Sequence, residues 1–300
     1  MRNSLAKKKE ERTAYIVLIA PALFLYLFVM AFPAVCSITL SVSSYRGGKM
    51  FGSGNIGFGG LRAYKNIFSD PYFFMSLKNN IYIVLVSVFG QIPLGFFLAY
   101  ILYRGHIKGT GFFQAMIYLP NVIAAVIIGI LFNRFLLSSS SVLMEIRRYF
   151  DPSVQFMPGK NYMFMILTVI LWMYTGIYML IFLANLQKID NSVIEASMID
   201  GANEMQTLRY IVFPALSGVI VTCAILAISG SLKSFDLIYV MTGGGPAYTT
   251  SVLSIYMYDK AFKGAPNYPV ANAISTIMVI VCFILIGLTR SAEKRFFSGE

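Results

Sequence analysis

The sequence predicts an all-α integral membrane protein that crosses the bilayer six times. Only 12% of its 300 residues are charged and 57% are apolar, about half the charge an average water-soluble domain carries. Mean hydropathy is +0.70, so a water-facing surface cannot be covered from this supply. Six stretches reach about 20 predominantly apolar residues, the length that crosses a hydrocarbon core as a helix. With 25 Phe and 19 Tyr, the chain is also too aromatic to stay disordered.

The six stretches are taken in chain order within a single domain, 1–300. The first, 14–40, follows Lys7, Lys8, Lys9 and Arg12. That basic start is shared with secretory signals, but the apolar run exceeds the roughly 7–15 residues of a signal core, so it is read as a retained anchor. The second, 77–103, follows Ser69-Asp70-Pro71, a turn or helix start. The third is 112–135. The fourth, 162–187, holds Trp172, Tyr174, Thr175 and Tyr178. The fifth, 211–232, contains Gly218 and Gly230 and exits at Lys233 and Asp236, which stand three apart and are expected to pair. The sixth, 271–289, runs into Arg290, Lys294 and Arg295.

Charge sets the orientation. With the N-terminus cytoplasmic, the inner segments carry Arg2, Lys7, Lys8, Lys9, Arg12, Arg104, Lys108, Lys188, Arg209, Arg290, Lys294 and Arg295, half of the 24 basic residues in the shorter share of the loop sequence. The positive-inside rule then places both termini in the cytoplasm. The net charge of +11 is read as this bias, and no nucleic-acid partner is expected. Cys36, Cys223 and Cys282 are scattered in apolar runs and read as small buried hydrophobes. A lone histidine, His106, rules out the usual His-centred catalytic or zinc constellations, and no P-loop pattern occurs. Neither an enzyme activity nor a cofactor or metal held by this chain is expected.

Two outer loops are rich in glycine. Seven glycines fall within Gly47–Gly60, too permissive for regular structure, and Gly243-Gly244-Gly245-Pro246 reads as a tight turn poor in hydrogen bonds. The inner loop 188–210 has more pattern. Ser192 and Glu195 stand at capping-box spacing, and the helix they start can run only to about Asp200, because Gly201 is a natural helix terminator. Asn203 and Gln206 repeat the spacing and start a second helix towards Pro214. Val193, Ile194, Met198 and Ile199 are apolar and must pack either on the protein's own spans or on a soluble partner.

Glu195-Ala196-Ser197-x-x-x-Gly201, nine residues, then Ile211-x-Phe213-Pro214 resembles the EAA signature of binding-protein-dependent ABC importer permeases, E-A-A-x-x-x-G-x(9)-I-x-L-P. Ser197 replaces an alanine and Phe213 a leucine; the spacing is intact. Phe58-Gly59-Gly60-Leu61-Arg62-Ala63-Tyr64 through Asp70-Pro71, Tyr118-Leu119-Pro120-Asn121-Val122, and Phe235-Asp236-Leu237-Ile238-Tyr239 through Gly243-Gly244-Gly245-Pro246 resemble the carbohydrate branch, the maltose and multiple-sugar type. The resemblance covers roughly residues 15–290. It implies a type I importer architecture, with a cytoplasmic coupling helix between the fourth and fifth spans carrying Glu195, Ala196, Ser197, Met198, Asp200, Gly201 and Ala202. It also implies the partners: a second permease subunit, two cytoplasmic ATPase subunits that hold ATP and Mg, an extracytoplasmic sugar-binding protein and the surrounding plasma-membrane lipid.

Sugars are held by aromatic faces and neutral hydrogen-bonding groups. Trp172, Tyr174 and Tyr178 of the fourth span supply such faces, Tyr174 and Tyr178 lying four apart on one helical side. The resemblance implies that this region and Ser229-Gly230-Ser231 of the fifth span line the transport path, so Trp172, Tyr174, Tyr178 and Ser231 are the candidate path residues. The expected cargo is a di- or oligosaccharide. The rival readings are the same machine carrying glycerol phosphate or another small solute, which calls for clustered cations in the path, and a stand-alone secondary transporter, which leaves the Glu195–Pro214 pattern unexplained.

Overall fold

Without water around it, a membrane-embedded backbone must satisfy its amides internally, and a helix does so within one segment. The computed structural model describes residues 2–45, 47, 57–105, 108–137, 142–150 and 162–296. Among them the helices are, in chain order, α1 (Ala14–Ser41), α2 (Arg62–Phe68), α3 (Pro71–Tyr103), α4 (Thr110–Val122), α5 (Ala125–Leu136), α6 (Val142–Phe150), α7 (Tyr162–Leu186), α8 (Asn191–Ile199), α9 (Glu204–Ala215), α10 (Ser217–Leu232), α11 (Asp236–Thr242), α12 (Leu253–Phe262) and α13 (Tyr268–Phe296). The fold is all-α and multi-pass. Four helices are long and apolar enough to cross a membrane, and the crossings number up to six if each of two bent pairs makes one.

The apolar runs at 14–40, 77–103, 162–187 and 271–289 fall on α1, α3, α7 and α13. The runs at 112–135 and 211–232 are each broken: α4 meets α5 at 87°, and α9 meets α10 at 66°. Ile123 and Ala124 are extended (ψ 135 and 131), and Leu216 leaves helical geometry two residues after Pro214. Hydropathy registers composition, not dihedral angles, so neither break shows in the apolar pattern. α3 starts six residues before its apolar run because the Asp70 carboxylate accepts the Tyr72 N–H at 3.0 Å and Pro71 takes the first helical position.

Three of these helices, α1, α3 and α9, contain a widened turn immediately before a proline. The N–H groups of Phe32, Ile92 and Phe213 donate to carbonyls five residues back, those of Leu27, Ser87 and Leu208, and Pro33, Pro93 and Pro214 follow. A proline ring clashes with the carbonyl four residues before it, and the wider turn relieves the clash while keeping a partner for each donor.

The chain folds as two compact units. In the smaller, Met1–Ser69 with Asp259–Ile277, Ser37 Oγ donates to Asn272 Oδ1 at 2.7 Å and the Ser41 and Tyr64 hydroxyls share a hydrogen bond. Of the glycine-rich stretch Gly47–Gly60, residues 48–56 lie outside the described residues. Its far end pairs back on α1's exit, Ser44 N–H to Gly57 O and Gly59 N–H to Val42 O.

In the larger unit, Asp70–Tyr258 with Met278–Glu300, α7 is the central helix. Ile166, Ile170 and Met173 pack with Ile83, Leu237 and Ile255, and Met179, Phe182 and Leu186 pack with Ala99, Val212 and Cys223. Two neighbours approach α7 at glycine distance. A Cβ on Gly95 of α3 would stand 2.7 Å from Tyr178 Cβ, and one on Gly176 of α7 would meet the Ile117 carbonyl oxygen and lie 2.8 Å from Tyr118 Cα of α4. Gly176→Val is therefore expected to destabilise the detergent-purified protein by roughly 1–3 kcal/mol, read as a lowered unfolding midpoint. Gly218→Ala, whose added Cβ meets nothing within 4 Å, should leave the midpoint unmoved.

Candidate functional site

Residues 188–210 form a capped corner of two helices. Asp190 is extended (φ −64, ψ 121) and its carboxylate accepts the Ser192 N–H at 2.9 Å, so α8 starts at Asn191. This corrects the expected Ser192–Glu195 capping box: an aspartate two residues upstream supplies the cap, and Ser192 lies inside the helix. The shift leaves Glu195 exposed, with no hydrogen bond or ion pair to another described residue. The donated Ser192 N–H holds the Asp190 carboxyl below the usual carboxylate range.

α8 ends in a Schellman motif. Gly201 N–H donates to Met198 O and Ala202 N–H to Ser197 O, with Gly201 left-handed at φ +82. The second capping box forms as its spacing requires: Gln206 N–H donates to Asn203 Oδ1, and Asn203 N–H donates to Gln206 Oε1. Ser197 faces inward, donating to Ile194 O at 2.7 Å and sharing a hydrogen bond with Thr207 Oγ1. That contact fixes α8 against α9. Val193, Met198 and Ile199 are 49%, 49% and 86% exposed, so the chain's own spans do not cover them. Ala196 and Asp200 are exposed as well, and Ala202 is half-buried.

A second site lies within the bundle, a cavity of about 210 Å³. The widened turn of α3 brings Ser87 and Gln91 to it, and α7 brings Tyr174 and Tyr178. Ser231, Lys233 and Asp236 come from the exit of α10 and the start of α11. The buried Ser231 hydroxyl donates to Ser87 Oγ at 3.0 Å, its carbonyl accepts from Asn80 Nδ2 at 3.0 Å, and Gln91 Nε2 donates to Ile170 O at 2.8 Å.

Tyr174, Tyr178 and Ser231 all line this cavity. Trp172 does not: two residues from Tyr174 it points elsewhere, half-exposed, with its ring edge-on to Phe132 at 5.6 Å. Lys233 and Asp236 make no ion pair with each other, because α10 ends at Leu232 and α11 begins at Asp236. Helical three-residue spacing does not apply across that break, and both side chains line the cavity instead. Ser87, Gln91 and Asn80 were not anticipated; their signal was a polar residue set inside an apolar run.

The Gly243–Pro246 turn is better bonded than expected. Gly243 N–H donates to Tyr239 O, Gly245 N–H to Thr242 O and Thr250 N–H to Gly244 O, and the Thr242 and Thr250 hydroxyls meet at 2.7 Å. Asn79 Nδ2 donates to both Thr249 O and Ser251 O. Gly243, Gly244 and Gly245 all have positive φ, and so do Ala247 and Tyr248. Once the glycines reverse the chain, these carbonyls and amides turn inward and find partners.

A multi-pass α-helical bundle whose larger unit holds both a cavity of mixed apolar and polar lining and a capped helical corner has the form of a membrane transport subunit. Residues 91–298 match the family of inner membrane components of binding-protein-dependent transport systems. The chain belongs to that family: it is a permease subunit of the plasma membrane, working within an ABC importer, and not an enzyme. It is similar to the lactose transport system permease protein of Rhizobium radiobacter, 31% identical over 274 residues, 89% of either chain. It is also similar to the multiple sugar-binding transport system permease protein of Streptococcus mutans, 30% identical over 243 residues, 81% of this chain and 83% of that one. Its fold matches a chain of a bacterial ABC transporter involved in the import of alginate, an acidic polysaccharide, with TM-score 0.80 at 19% identity over 98% and 99% of the two chains.

Asp190 carries a pH dependence. Its carboxyl is held low in the fold, so its contribution to α8 is complete above the ordinary carboxylate value and disappears as pH falls through the lowered one. Amide-exchange protection of α8 is expected to drop there in the native protein relative to Asp190→Asn, whose cap does not titrate. Asn203→Ala should cost α9 about 1 kcal/mol, read as roughly fivefold faster exchange of its first-turn amides.

Proposed function

We propose that this chain is one of two permease subunits in an ATP-driven importer of a di- or oligosaccharide. In this reading it forms a single six-crossing permease domain with both termini cytoplasmic. Two ATPase subunits on that side hold ATP and Mg, and an extracytoplasmic binding protein delivers the sugar. The observation that carries the reading is the corner Asn191–Ala202. Its caps make it rigid, Val193, Met198 and Ile199 are exposed, and Glu195 has no partner among the described residues. A rigid helix with uncovered apolar residues and a lone carboxylate suits a groove with a basic rim on a soluble partner. The EAA-like spacing supports the ATPase as that partner. Rocking of the two permeases would then alternate access to the cavity.

The cargo assignment rests on chemistry and on likeness. Tyrosine rings, serine hydroxyls and an amide line the cavity, and its ionisable residues are one lysine and one aspartate, which suits a neutral polyol. The two curated relatives are named for lactose and multiple-sugar transport. Glycerol phosphate would need clustered cations, and Lys233 stands alone against Asp236. A stand-alone transporter has no use for the uncovered face of α8.

Uptake and hydrolysis in proteoliposomes holding the complete complex test the reading. A Cβ at Gly201 meets no neighbour, so the strain in Gly201→Val comes from its left-handed backbone, on the order of 1–2 kcal/mol. Both Gly201→Val and Glu195→Lys are expected to insert normally yet lose ATPase co-purification or substrate-stimulated hydrolysis. Normal values of both quantities in both variants would make the corner a mere connector. Tyr174→Ala should lower uptake of the transported sugar about tenfold while the ATPase still co-purifies, since an aromatic face is lost from the cavity.

A further inference from the structure

The start of α9 is fastened to the end of α3 by a cluster that no sequence pattern singled out. Arg104, just beyond the end of α3, donates to Glu204 Oε1 from Nε at 3.0 Å and approaches it with Nη2 at 2.8 Å. The Tyr100 hydroxyl donates to the same oxygen at 3.3 Å, and the Arg104 guanidinium lies over the Tyr100 ring at 5.7 Å. The bond to Glu204 raises the Arg104 pKa above its ordinary value. Glu204 is the first residue of α9, next to the Asn203 cap, where the helix dipole also favours a carboxylate.

The far part of α9 is held to the same helix. Phe213 stacks on Phe96 of α3 at 4.9 Å, and Phe96 stacks in turn on Tyr100 at 6.1 Å. α9 therefore lies against α3 with a polar fastening at its first residue and an aromatic one nine residues later. Through Ser197 and Thr207, α8 is fixed to α9. α3 carries Gln91 and Ser87 into the cavity, about 20 and about 26 Å from Arg104 respectively at 1.5 Å per residue.

We propose that Glu204 is a positioning residue for energy coupling: its carboxylate locks the α8–α9 corner to α3, so that displacement of the corner by the ATPase reaches the cavity as movement of Ser87 and Gln91. This rests on the corner being the ATPase contact. The lock is partly exposed, Arg104 26% and Glu204 61%, so salt screens it.

The test is sugar taken up per ATP hydrolysed by the whole complex in proteoliposomes. In Glu204→Gln the ratio is expected to fall about fivefold with ATPase co-purification intact, and the exchanged pair Arg104→Glu with Glu204→Arg should recover it. Raising ionic strength should lower the native ratio more than that of Glu204→Gln, a difference that a merely structural residue would not produce. An unchanged ratio in Glu204→Gln overturns the proposal. So does loss of the ATPase from that variant, which would make Glu204 a docking residue, and so does a failure of the exchanged pair to recover. Glu195→Lys, measured in parallel, separates the two levels. If it attaches and couples normally, the corner is not the ATPase contact and the underlying reading fails. If it is impaired while Glu204→Gln is normal, only the lock fails.

Discussion

A carbonyl or amide freed from a helix inside a bilayer has no water to replace its partner, and leaving it unpaired costs several kcal/mol. Where this chain breaks its helices, buried or half-buried side-chain amides take up the freed groups. Asn133 of α5 donates to Met241 O at the end of α11. Asn79 holds Thr249 O and Ser251 O in the turn before α12. Asn80 donates to Ser231 O at the end of α10 and accepts the Leu253 N–H that begins α12. Each such bond contributes only about 1 kcal/mol net, yet removing the amide leaves its partner bare. The short elements around the cavity depend on these residues for their existence as well as for their placement.

That dependence separates what could be read in the sequence from what could not. Apolar length located α1, α3, α7 and α13, since burial in lipid demands little beyond composition and extent. Local rules located the Gly201 terminator and the Asn203–Gln206 box, where a few neighbouring residues decide the geometry. The cap of α8 was misplaced because Asp190 and Ser192 are equally good caps, and only the packing of the corner selects between them. The breaks at Ile123–Ala124 and Leu216 were not legible, because hydropathy does not register dihedral angles. Nor were the short helices α11 and α12, whose ends are held by hydrogen bonds between residues more than a hundred positions apart. Of the cavity, the aromatic pair on one face of α7 could be anticipated, while Ser87 and Gln91 depend on how far a turn of α3 is widened.

The departures from the EAA-like pattern are matched by their surroundings. Ser197 stands where the pattern has alanine, and its hydroxyl is spent inside the corner on Ile194 O and Thr207 Oγ1. Phe213 stands where the pattern has leucine, and its ring lies at 26° to that of Phe96. A stacked aromatic pair is worth about 0.5–1.5 kcal/mol beyond its buried area. The first change adds a contact within the corner and the second adds one to α3. A signature can drift in this way when the drifting side chain points inward and finds a partner there.

The stiffness of the corner follows from its length. A nine-residue helix in water does not hold together on propensity alone, and α8 has exposed apolar residues that would favour disorder or aggregation over an isolated helix. Asp190 satisfies an amide at its start, the Gly201 turn satisfies carbonyls at its end, and Ser197 ties its middle to Thr207. With all three in place the helix is formed before any partner arrives. In the proposed complex, docking would carry no ordering cost for this segment, which raises affinity for a given contact area. An ordered corner also has a mechanical consequence. A push on a disordered loop is absorbed by rearrangement of that loop, whereas a push on this one is delivered to α9 and, through Glu204 and Phe213, to α3. The same caps that make the element foldable make it able to transmit force.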